Sequence, residues 1–279
     1  MLSSRIPGGS PMGQRSSGKA RLLIAVVIGI ISLISYFSSS EYNPVTGEKQ
    51  HISISKEQEI ALGLQAVPEM VQQFGGLFPD QSLQDLVDKI GNDVVNKSAA
   101  KSTEWQFEFH LLADPNTVNA FALPGGQVFI TYALLSRLET NAQLAGVLGH
   151  EAGHVIARHS AQRMAKQNLT EGLINAVLVG AENYSAAQTA AVIGQMVNMN
   201  YGREDELESD DLGVRFMSEA GYDPRGMIRV MEILAEASGG GQRQPEFFST
   251  HPNPENRIQK IQQAIQKTFP NGVPEGLIK

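Results

Sequence analysis

The chain has no cysteine among its 279 residues, and this absence removes several kinds of protein at once. Structural disulfides are excluded, and so is a lipoprotein anchor, which requires a cysteine. Basic residues are also few, with 22 lysines and arginines against 29 aspartates and glutamates and a net charge of −7. Without a basic patch, this acidic balance argues against a nucleic-acid partner.

Long apolar runs are scarce as well, and only Leu22–Phe37, sixteen residues without a charge, approaches the length that crosses a bilayer. It is long for a signal-peptide core and short for a spanning helix of about twenty residues. The basic segment 1–21 precedes it and acidic residues follow it, which predicts a cytoplasmic N-terminus. We expect a transmembrane signal anchor over 22–40. The alternative is a signal peptide cleaved near Ser38–Ser40; in both cases the rest of the chain is exported to the periplasm or its equivalent.

Residues 150–154 read His-Glu-Ala-Gly-His, the most informative string in the chain. On a helix, residues four apart share a face, so the imidazoles of His150 and His154 can point at one metal ion. Zinc accepts neutral imidazole ligands, and a catalytic site keeps a position open for water. Glu151 lies beside that position, where a carboxylate can accept a proton from the water and return it to a leaving amine. The string predicts zinc-assisted hydrolysis of an amide bond.

The residues around this string have the apolar spacing of a helix over 141–164. Thr140, followed three residues later by Gln143, resembles a capping box at its start. The alternative to a metal site is a pair of buried structural histidines on a core helix. Three glycines lower helix propensity but permit close backbone packing beside a site; they are Gly146, Gly149 and Gly153.

A zinc site requires a third protein ligand, and the acidic run at 203–211 offers candidates. If this run is a helix, Glu206 and Asp210 share a face. One carboxylate would bind the metal and the second would orient a histidine. The alternative is a solvated acidic helix face, and the spacing alone leaves the choice open.

The histidine motif, followed by Glu206-Leu-Glu-Ser-Asp210, resembles the gluzincin peptidases related to HtpX, BepA, LoiP and the mitochondrial OMA-type protease, relatives of the CAAX prenyl endopeptidases. Two further segments are similar to family blocks. Asn119-Ala-Phe-Ala-Leu-Pro-Gly-Gly matches Asn-Ala-Phe-x-x-Pro-Gly-Gly, and the segment from His251 to Arg257 matches His-Pro-x-x-x-x-Arg. The four blocks occur in the family's order within residues 57–265.

The resemblance implies that Glu206 is the third ligand of one Zn²⁺ per chain, with Asp210 behind it. It also implies a zinc metalloendopeptidase that acts on misfolded or damaged membrane or exported proteins. The expected fold is α+β and mainly helical, with a small antiparallel sheet beside the zinc helix.

That sheet is predicted from the alternation of apolar and polar residues in Trp105–Leu112 and from a second strand over Thr117–Leu123. The turn Pro124–Gly126 would lead into a third strand. We expect the 119–123 backbone to be an edge that pairs with a peptide substrate, and the alternative is an ordinary interior strand. The predicted substrate-binding residues are Asn119, Ala120, Phe121 and Ala122.

His251 precedes a proline, and a turn residue is the simplest interpretation. Two functional interpretations remain open. His251 would either stabilise the oxyanion as a hydrogen-bond donor or occupy the open metal position in a resting enzyme. Arg257 is a candidate for substrate contact, although a carboxylate contact that fixes this loop is the favoured role.

The layout expected after the anchor is a linker over 41–56 and one metallopeptidase domain over 57–279. Helices are predicted at Lys56–Phe74 and Ser82–Lys97. Residues 165–200 would form core helices or, alternatively, a lid or membrane-facing flap that uses Met196 and Met199. The remaining histidines are expected not to bind metal; of these, His159 would point away from the motif on the same helix.

Two other functions compete with proteolysis. A latent zinc-binding, chaperone-like scaffold kept closed by His251 would bind metal without cleaving anything. A purely structural zinc domain would unfold without metal. Glu151 argues against the structural domain, because such a site has no use for a base.

Overall fold

The computed structural model describes residues 18–180, 202–237, 245–252 and 256–279. The predicted contacts of Met196 and Met199 lie outside these ranges. The elements, in chain order, are α1 (Gly18–Ser38), β1 (Ser40–Tyr42), β2 (Lys49–His51), α2 (Lys56–Gln73), α3 (Gln81–Asn96), a 3-10 helix (Ala99–Ser102), β3 (Glu108–Leu112), β4 (Ala120–Ala122), β5 (Gln127–Thr131), α4 (Tyr132–Leu135), α5 (Asn141–Ile156), α6 (His159–Gly180), α7 (Arg203–Glu219), α8 (Gly226–Ala237), α9 (Glu246–Thr250) and α10 (Arg257–Thr268).

Helix α5 lies at the centre of the core. It packs against α3, α7 and α8 and against the sheet, and every residue from Ala142 to Ile156 is buried. Thr140 caps its start, where its hydroxyl accepts a hydrogen bond from the backbone of Gln143. The Gln143 side chain accepts instead from the backbone of Glu139, one residue before the position that a capping box uses. The mainly helical α+β fold is thus confirmed.

The sheet beside α5 is mixed, so the prediction of a purely antiparallel sheet was wrong in this respect. Its strand order is β3-β5-β4, with β3 parallel and β4 antiparallel to β5. The tight turn at Pro124–Gly126 makes β4 and β5 a hairpin. Gly126 there has φ +117°, and a Cβ would lie 2.5 Å from the carbonyl oxygen of Gln106. The longer connection after β3 allows β3 to join the opposite edge of β5.

The segment 41–56, expected as a linker, contains ordered structure. Strands β1 and β2 form a small antiparallel hairpin. Asn43 Nδ2 donates to the carbonyl oxygen of Ile156 at 2.7 Å, and Gln50 Nε2 donates to that of Ala157 at 2.8 Å. These bonds satisfy carbonyls at the end of α5 that have no partner within the helix. The chain from α1 is therefore attached directly to the end of α5.

The helix predicted over 141–164 is interrupted. Helix α5 ends at Ile156, and Arg158 adopts a positive φ of 55° before α6 begins. This left-handed conformation is costly for a residue other than glycine. The conformational cost is offset by ion pairs of the Arg158 side chain. Its Nε atom donates to the buried Glu59 Oε1 at 2.7 Å, and its Nη1 atom donates to Glu41 Oε2 at 2.6 Å. The break redirects α6 towards α1.

Candidate active site

Two histidines of α5 point into one small volume. The Nε2 atoms of His150 and His154 lie 3.1 Å apart, and both side chains are buried. Burial lowers the pKa of His154 well below its ordinary value, because an imidazolium loses its hydration there. A neutral imidazole is the form that binds a metal ion.

Helix α7 approaches α5 closely because small residues meet where the two helices cross. A Cβ on Gly213 would lie 3.0 Å from the backbone nitrogen of His150. A Cβ on Gly153 would lie 3.1 Å from the Cα of Ser209. The glycines that weaken helix propensity in α5 therefore allow the two backbones to approach. This close contact brings the acidic residues of α7 next to His150 and His154.

Glu206 is the α7 residue that reaches both histidines. Its carboxylate oxygens lie 3.5 Å from His150 Nε2 and 3.4 Å from His154 Nε2, and its side chain is fully buried. Burial alone raises the pKa of the Glu206 carboxyl, but contacts with the surrounding histidines outweigh it and hold the pKa well below its usual range. Glu206 is therefore an anionic oxygen donor beside two imidazole nitrogens.

Asp210 lies one helical turn further along α7 and contacts the opposite side of the His150 ring. Its Oδ1 atom is 2.9 Å from His150 Nδ1, which leaves Nε2 directed at the shared volume. Arg257 supports this carboxylate, because its Nε and Nη2 atoms donate to Asp210 at 2.7 and 2.9 Å. Arg257 is itself buried, with Nη1 3.2 Å from Glu206 Oε2. Its guanidinium therefore contacts two buried carboxylates of the cluster.

Glu151 is buried beside this cluster, and neither of its carboxylate oxygens has a hydrogen-bond partner among the described residues. Burial raises the pKa of this carboxyl above its usual range. An unsatisfied buried carboxylate is costly unless another group occupies the site. A carboxylate with a raised pKa is also suited to accept and return a proton near neutral pH.

His251 completes the cluster from the far side. It ends α9, and its ring stacks on Phe247 at a centroid distance of 4.5 Å. Its Nδ1 atom lies 3.0 Å from Glu206 Oε1 and 3.4 Å from His150 Nε2. His251 is thus fully buried among the other candidate ligands, more deeply than a turn residue requires.

The donor set fits a zinc ion. One ligand atom from each of His150, His154, Glu206 and His251 lies within 4.8 Å of all the others. Two or three imidazoles with one carboxylate are ligands that zinc prefers. Glu151 Oε1 lies 3.6 Å from His251 Nε2, beyond hydrogen-bond distance, so the Glu151 carboxylate can still accept a hydrogen bond from a further polar group.

His159 differs from its prediction. Because α5 ends at Ile156, His159 does not continue that helix and does not point away from the motif. Its Nδ1 atom lies 2.8 Å from His154 Nδ1, and its Nε2 atom lies 3.0 Å from Glu208 Oε2. His159, which Glu208 contacts in turn, thus contacts His154 from behind, as Asp210 and Arg257 contact His150. Nothing in the apolar spacing of 141–164 signalled the break that allows this contact.

Strand β4 is an edge of the sheet. The carbonyl of Asn119 and the amide of Leu123 bond to β5, so alternate residues in this antiparallel pair face β5. The backbone groups of Ala120 and Ala122 consequently point outward, and no strand of the described chain pairs with them. The outer edge of β3 differs, since it bonds to Gly76 and Phe78.

A cavity of about 320 Å³ lies beside β4 and extends to His251. Asn119, Phe121 and Ala122 line it on one side, and α2 and α9 close it on the others. Ala120 is buried and does not line the cavity. Three of the four predicted substrate residues therefore share one groove with a residue of the metal cluster.

Comparison with known proteins agrees with this geometry. The sequence model of Peptidase family M48 matches residues 81–265. The mitochondrial metalloendopeptidase OMA1 of Schizosaccharomyces pombe is 30% identical over 240 residues, which cover 82% of this chain and 68% of the relative. OMA1 of Saccharomyces cerevisiae is 29% identical, over 91% of this chain and 79% of the relative.

The beta-barrel assembly-enhancing protease of Escherichia coli K12 is 29% identical over 252 residues. The match covers 86% of this chain but only 50% of that relative. The matched family segment contains all the described residues of the histidine and carboxylate cluster. The chain therefore belongs to Peptidase family M48 and is a metalloprotease.

Proposed function

We propose that the chain is a zinc endopeptidase that cleaves misfolded or damaged membrane or exported proteins. The observation that carries this proposal is the convergence of His150, His154 and Glu206 beside the buried carboxylate of Glu151, which has no hydrogen-bond partner among the described residues. Because the carboxylate adjoins a set of metal ligands, it serves as a base rather than as a structural anion.

In this proposal His150, His154 and Glu206 hold the zinc ion. When bound, zinc supplies a Lewis acid that polarises a peptide carbonyl and lowers the pKa of a nearby water. Glu151 accepts the proton of the attacking water and then donates it to the departing amine. Asp210 and Arg257 keep the His150 ring oriented, and His159 does the same for His154.

The substrate would bind as an added strand on β4. The outward backbone groups of Ala120 and Ala122 would bond to the peptide, and the groove beside Phe121 would hold a side chain. Extended, unfolded segments are the chains that can offer such a strand. The proposal therefore favours misfolded proteins over folded ones.

His251 is proposed to occupy the fourth position around the metal in a resting enzyme. Its distances of 3.0 Å from Glu206 and 3.4 Å from His150 support this role over that of an oxyanion donor, because a donor would stand off from the ligands to leave room for substrate. The enzyme would then need α9 to move before substrate binds.

Helix α1 is proposed as the membrane anchor. It is 21 residues long and apolar, and Ala25 is its only buried residue. In this proposal the N-terminus is cytoplasmic and the protease domain lies on the other side, which the basic residues Lys19 and Arg21 at the start of α1 support. Mitochondrial and barrel-assembly proteases among the relatives are consistent with substrates at or beyond a membrane.

The test is cleavage of casein, an unfolded protein, by the full-length, zinc-loaded protein in detergent. We expect Glu151→Gln to reduce turnover by about 10²–10⁴-fold, the usual contribution of a general acid–base group. Zinc content should not change, which serves as the folding control. Full activity of Glu151→Gln would refute the mechanism.

In the same assay, Ala122→Pro should raise KM with little effect on kcat, because proline removes one outward backbone N–H donor of β4.

A latent, non-cleaving scaffold is the second candidate, and the position of His251 favours it specifically. His251→Ala distinguishes the two. We expect this variant to cleave casein several-fold faster than wild type, because the fourth position is released. A variant with bound zinc and no turnover would support the scaffold, whereas a slower variant would support an oxyanion donor.

A further inference from the structure

The second half of α6 leaves the catalytic domain and runs along α1. A Cβ built on Gly172 would lie 2.1 Å from Ser32 Oγ, and one built on Gly29 would lie 3.9 Å from Ala176 Cβ. Residue numbers rise along α1 as they fall along α6, so the two helices are antiparallel. Small residues at both contacts let the backbones approach, as they do between helices in membranes.

This half of α6 has the composition of a buried helix but not the burial. Residues 172–180 carry no charge, whereas the first half of the helix contains Arg163 and Lys166. Leu173, Val177 and Leu178 are nevertheless 37%, 44% and 41% exposed. This apolar surface adjoins that of α1, where Ile31 is 61% exposed. Contiguous apolar surface of this kind marks a binding partner.

We infer that residues 173–180 of α6 are embedded in the same bilayer as α1, so that a helix pair rather than a single anchor holds the protease at the membrane. This inference rests on the proposal that α1 spans the membrane. Lipid is the occupant that fits, because most exposed side chains of α1 and of residues 173–180 are aliphatic, with Asn175 the exposed polar residue of that segment, and the two helices pack along each other. At 1.5 Å per residue, residues 172–180 reach about 12 Å, less than half of a hydrocarbon core of about 30 Å.

The residues of α1 and α6 nearest the protease domain are consistent with this depth of insertion. Tyr36 and Phe37 lie near the end of α1 closest to the domain, where aromatic side chains mark a membrane interface. The contact between Ser32 and Gly172 lies about one turn deeper. Asn168 lies above it, because its Nδ2 atom donates to Ser53 of the segment that follows the hairpin. Arg163, Lys166 and Asn168 of α6 thus stay on the domain side of the aromatic level, whereas Glu171 and Asn175 are the polar residues that lie beyond it.

The helix pair α1 and α6 would fix the distance between the active site and the membrane. Helix α6 begins at His159, which contacts the metal-facing His154, and its apolar half begins thirteen residues later at Gly172. At 1.5 Å per residue, this separation is about 20 Å. Helix α6 is thus a stalk between the site and the bilayer. Substrates would be cut in segments that lie within about 20 Å of the membrane.

Because the chain contains no native cysteine, single spin labels can report the depth without background. The full-length protein would be reconstituted in phosphatidylcholine and phosphatidylglycerol vesicles with a nitroxide at Ile31→Cys, Val177→Cys or Gln167→Cys. Collision rates would be measured with oxygen, which concentrates in lipid, and with a water-soluble nickel chelate. Gln167 is the matched control, because it is exposed in the polar half of the same helix.

We expect oxygen collisions to exceed chelate collisions several-fold at Ile31 and Val177, with the order reversed at Gln167. A chelate-accessible Val177 beside a lipid-exposed Ile31 would overturn the α6 inference and leave the anchor intact. Chelate access at both positions would refute the anchor as well. A Val177 label shielded from both reagents would show a protein-covered face and would also overturn the inference. Casein cleavage by each labelled protein would verify the fold.

Discussion

Helices α5 and α1 are both apolar, yet their surroundings are opposite. Every residue of α5 from Ala142 to Ile156 is buried, whereas in α1 only Ala25 is buried. Small residues on α5 let α7 approach within backbone contact, while α1 presents large aliphatic side chains outward on most of its surface. The difference teaches that the apolar composition of a helix indicates that its side chains avoid water. It does not indicate whether protein or lipid surrounds them.

Truncating a large side chain on each helix should separate the two surroundings most strongly. Leu148→Ala on α5 removes a fully buried side chain, and we expect it to lower the free energy of unfolding by about 2–5 kcal/mol. Ile31→Ala on α1 removes a side chain that is 61% exposed, and the expected change is within about 0.5 kcal/mol. Denaturant titration of both detergent-solubilised variants measures the difference. Equal losses would mean that the domain covers α1 after all.

Adding a methyl group tests the same comparison from the other direction. Gly213→Ala would place a Cβ 3.0 Å from the His150 backbone nitrogen, so α5 and α7 must separate. We expect a loss of about 1–3 kcal/mol in the free energy of unfolding, the usual cost of overpacking. The matched variant Gly29→Ala places its Cβ 3.9 Å from Ala176, an ordinary contact, and should not destabilise the protein. Thermal unfolding of the pair under one set of conditions decides the matter; an unaffected Gly213→Ala would contradict the close packing.

A substitution at the start of α6, the helix that connects the buried region to α1, should have a smaller effect. His159→Ala removes the group that contacts His154 Nδ1, and zinc affinity should fall by about 10–100-fold. His110→Ala is the control, since His110 contacts Gln127 in the sheet rather than a metal-facing residue. Competition with a chelator measures both affinities. Unchanged zinc binding in His159→Ala would mean that the contact does not orient His154.

Local sequence patterns were sufficient to predict those features that depend on a short spacing between residues. The four-residue interval between His150 and His154 predicts their shared face, and the structure brings both rings together. The helices around Lys56–Gln73 and Gln81–Asn96 are found within one residue of their predicted ends. Capping residues and apolar periodicity act over a few residues, so such features are visible in sequence.

Other features depend on contacts between distant residues. Spacing alone left Glu206 open, and only the family resemblance selected it. The parallel pairing of β3 with β5 had no local signal, and the turn residues between Asn43 and Gly47 did not reveal that the strands on either side pair. The break at Arg158 was missed because an arginine with positive φ depends on Glu59, almost one hundred residues earlier. The position of His159 follows from that break.

By itself, the sequence determined a pair of histidines on one helix face with a neighbouring carboxylate, an acidic helix after it and one long apolar segment near the start. Periodicity and side-chain chemistry are properties of neighbouring residues, and these are all features of that kind. Only the tertiary structure decided which carboxylate meets the histidines, that His251 and His159 join them, and that α6 runs beside α1. Those outcomes depend on backbone approach and buried charge pairing between segments far apart in the chain, which no local pattern encodes.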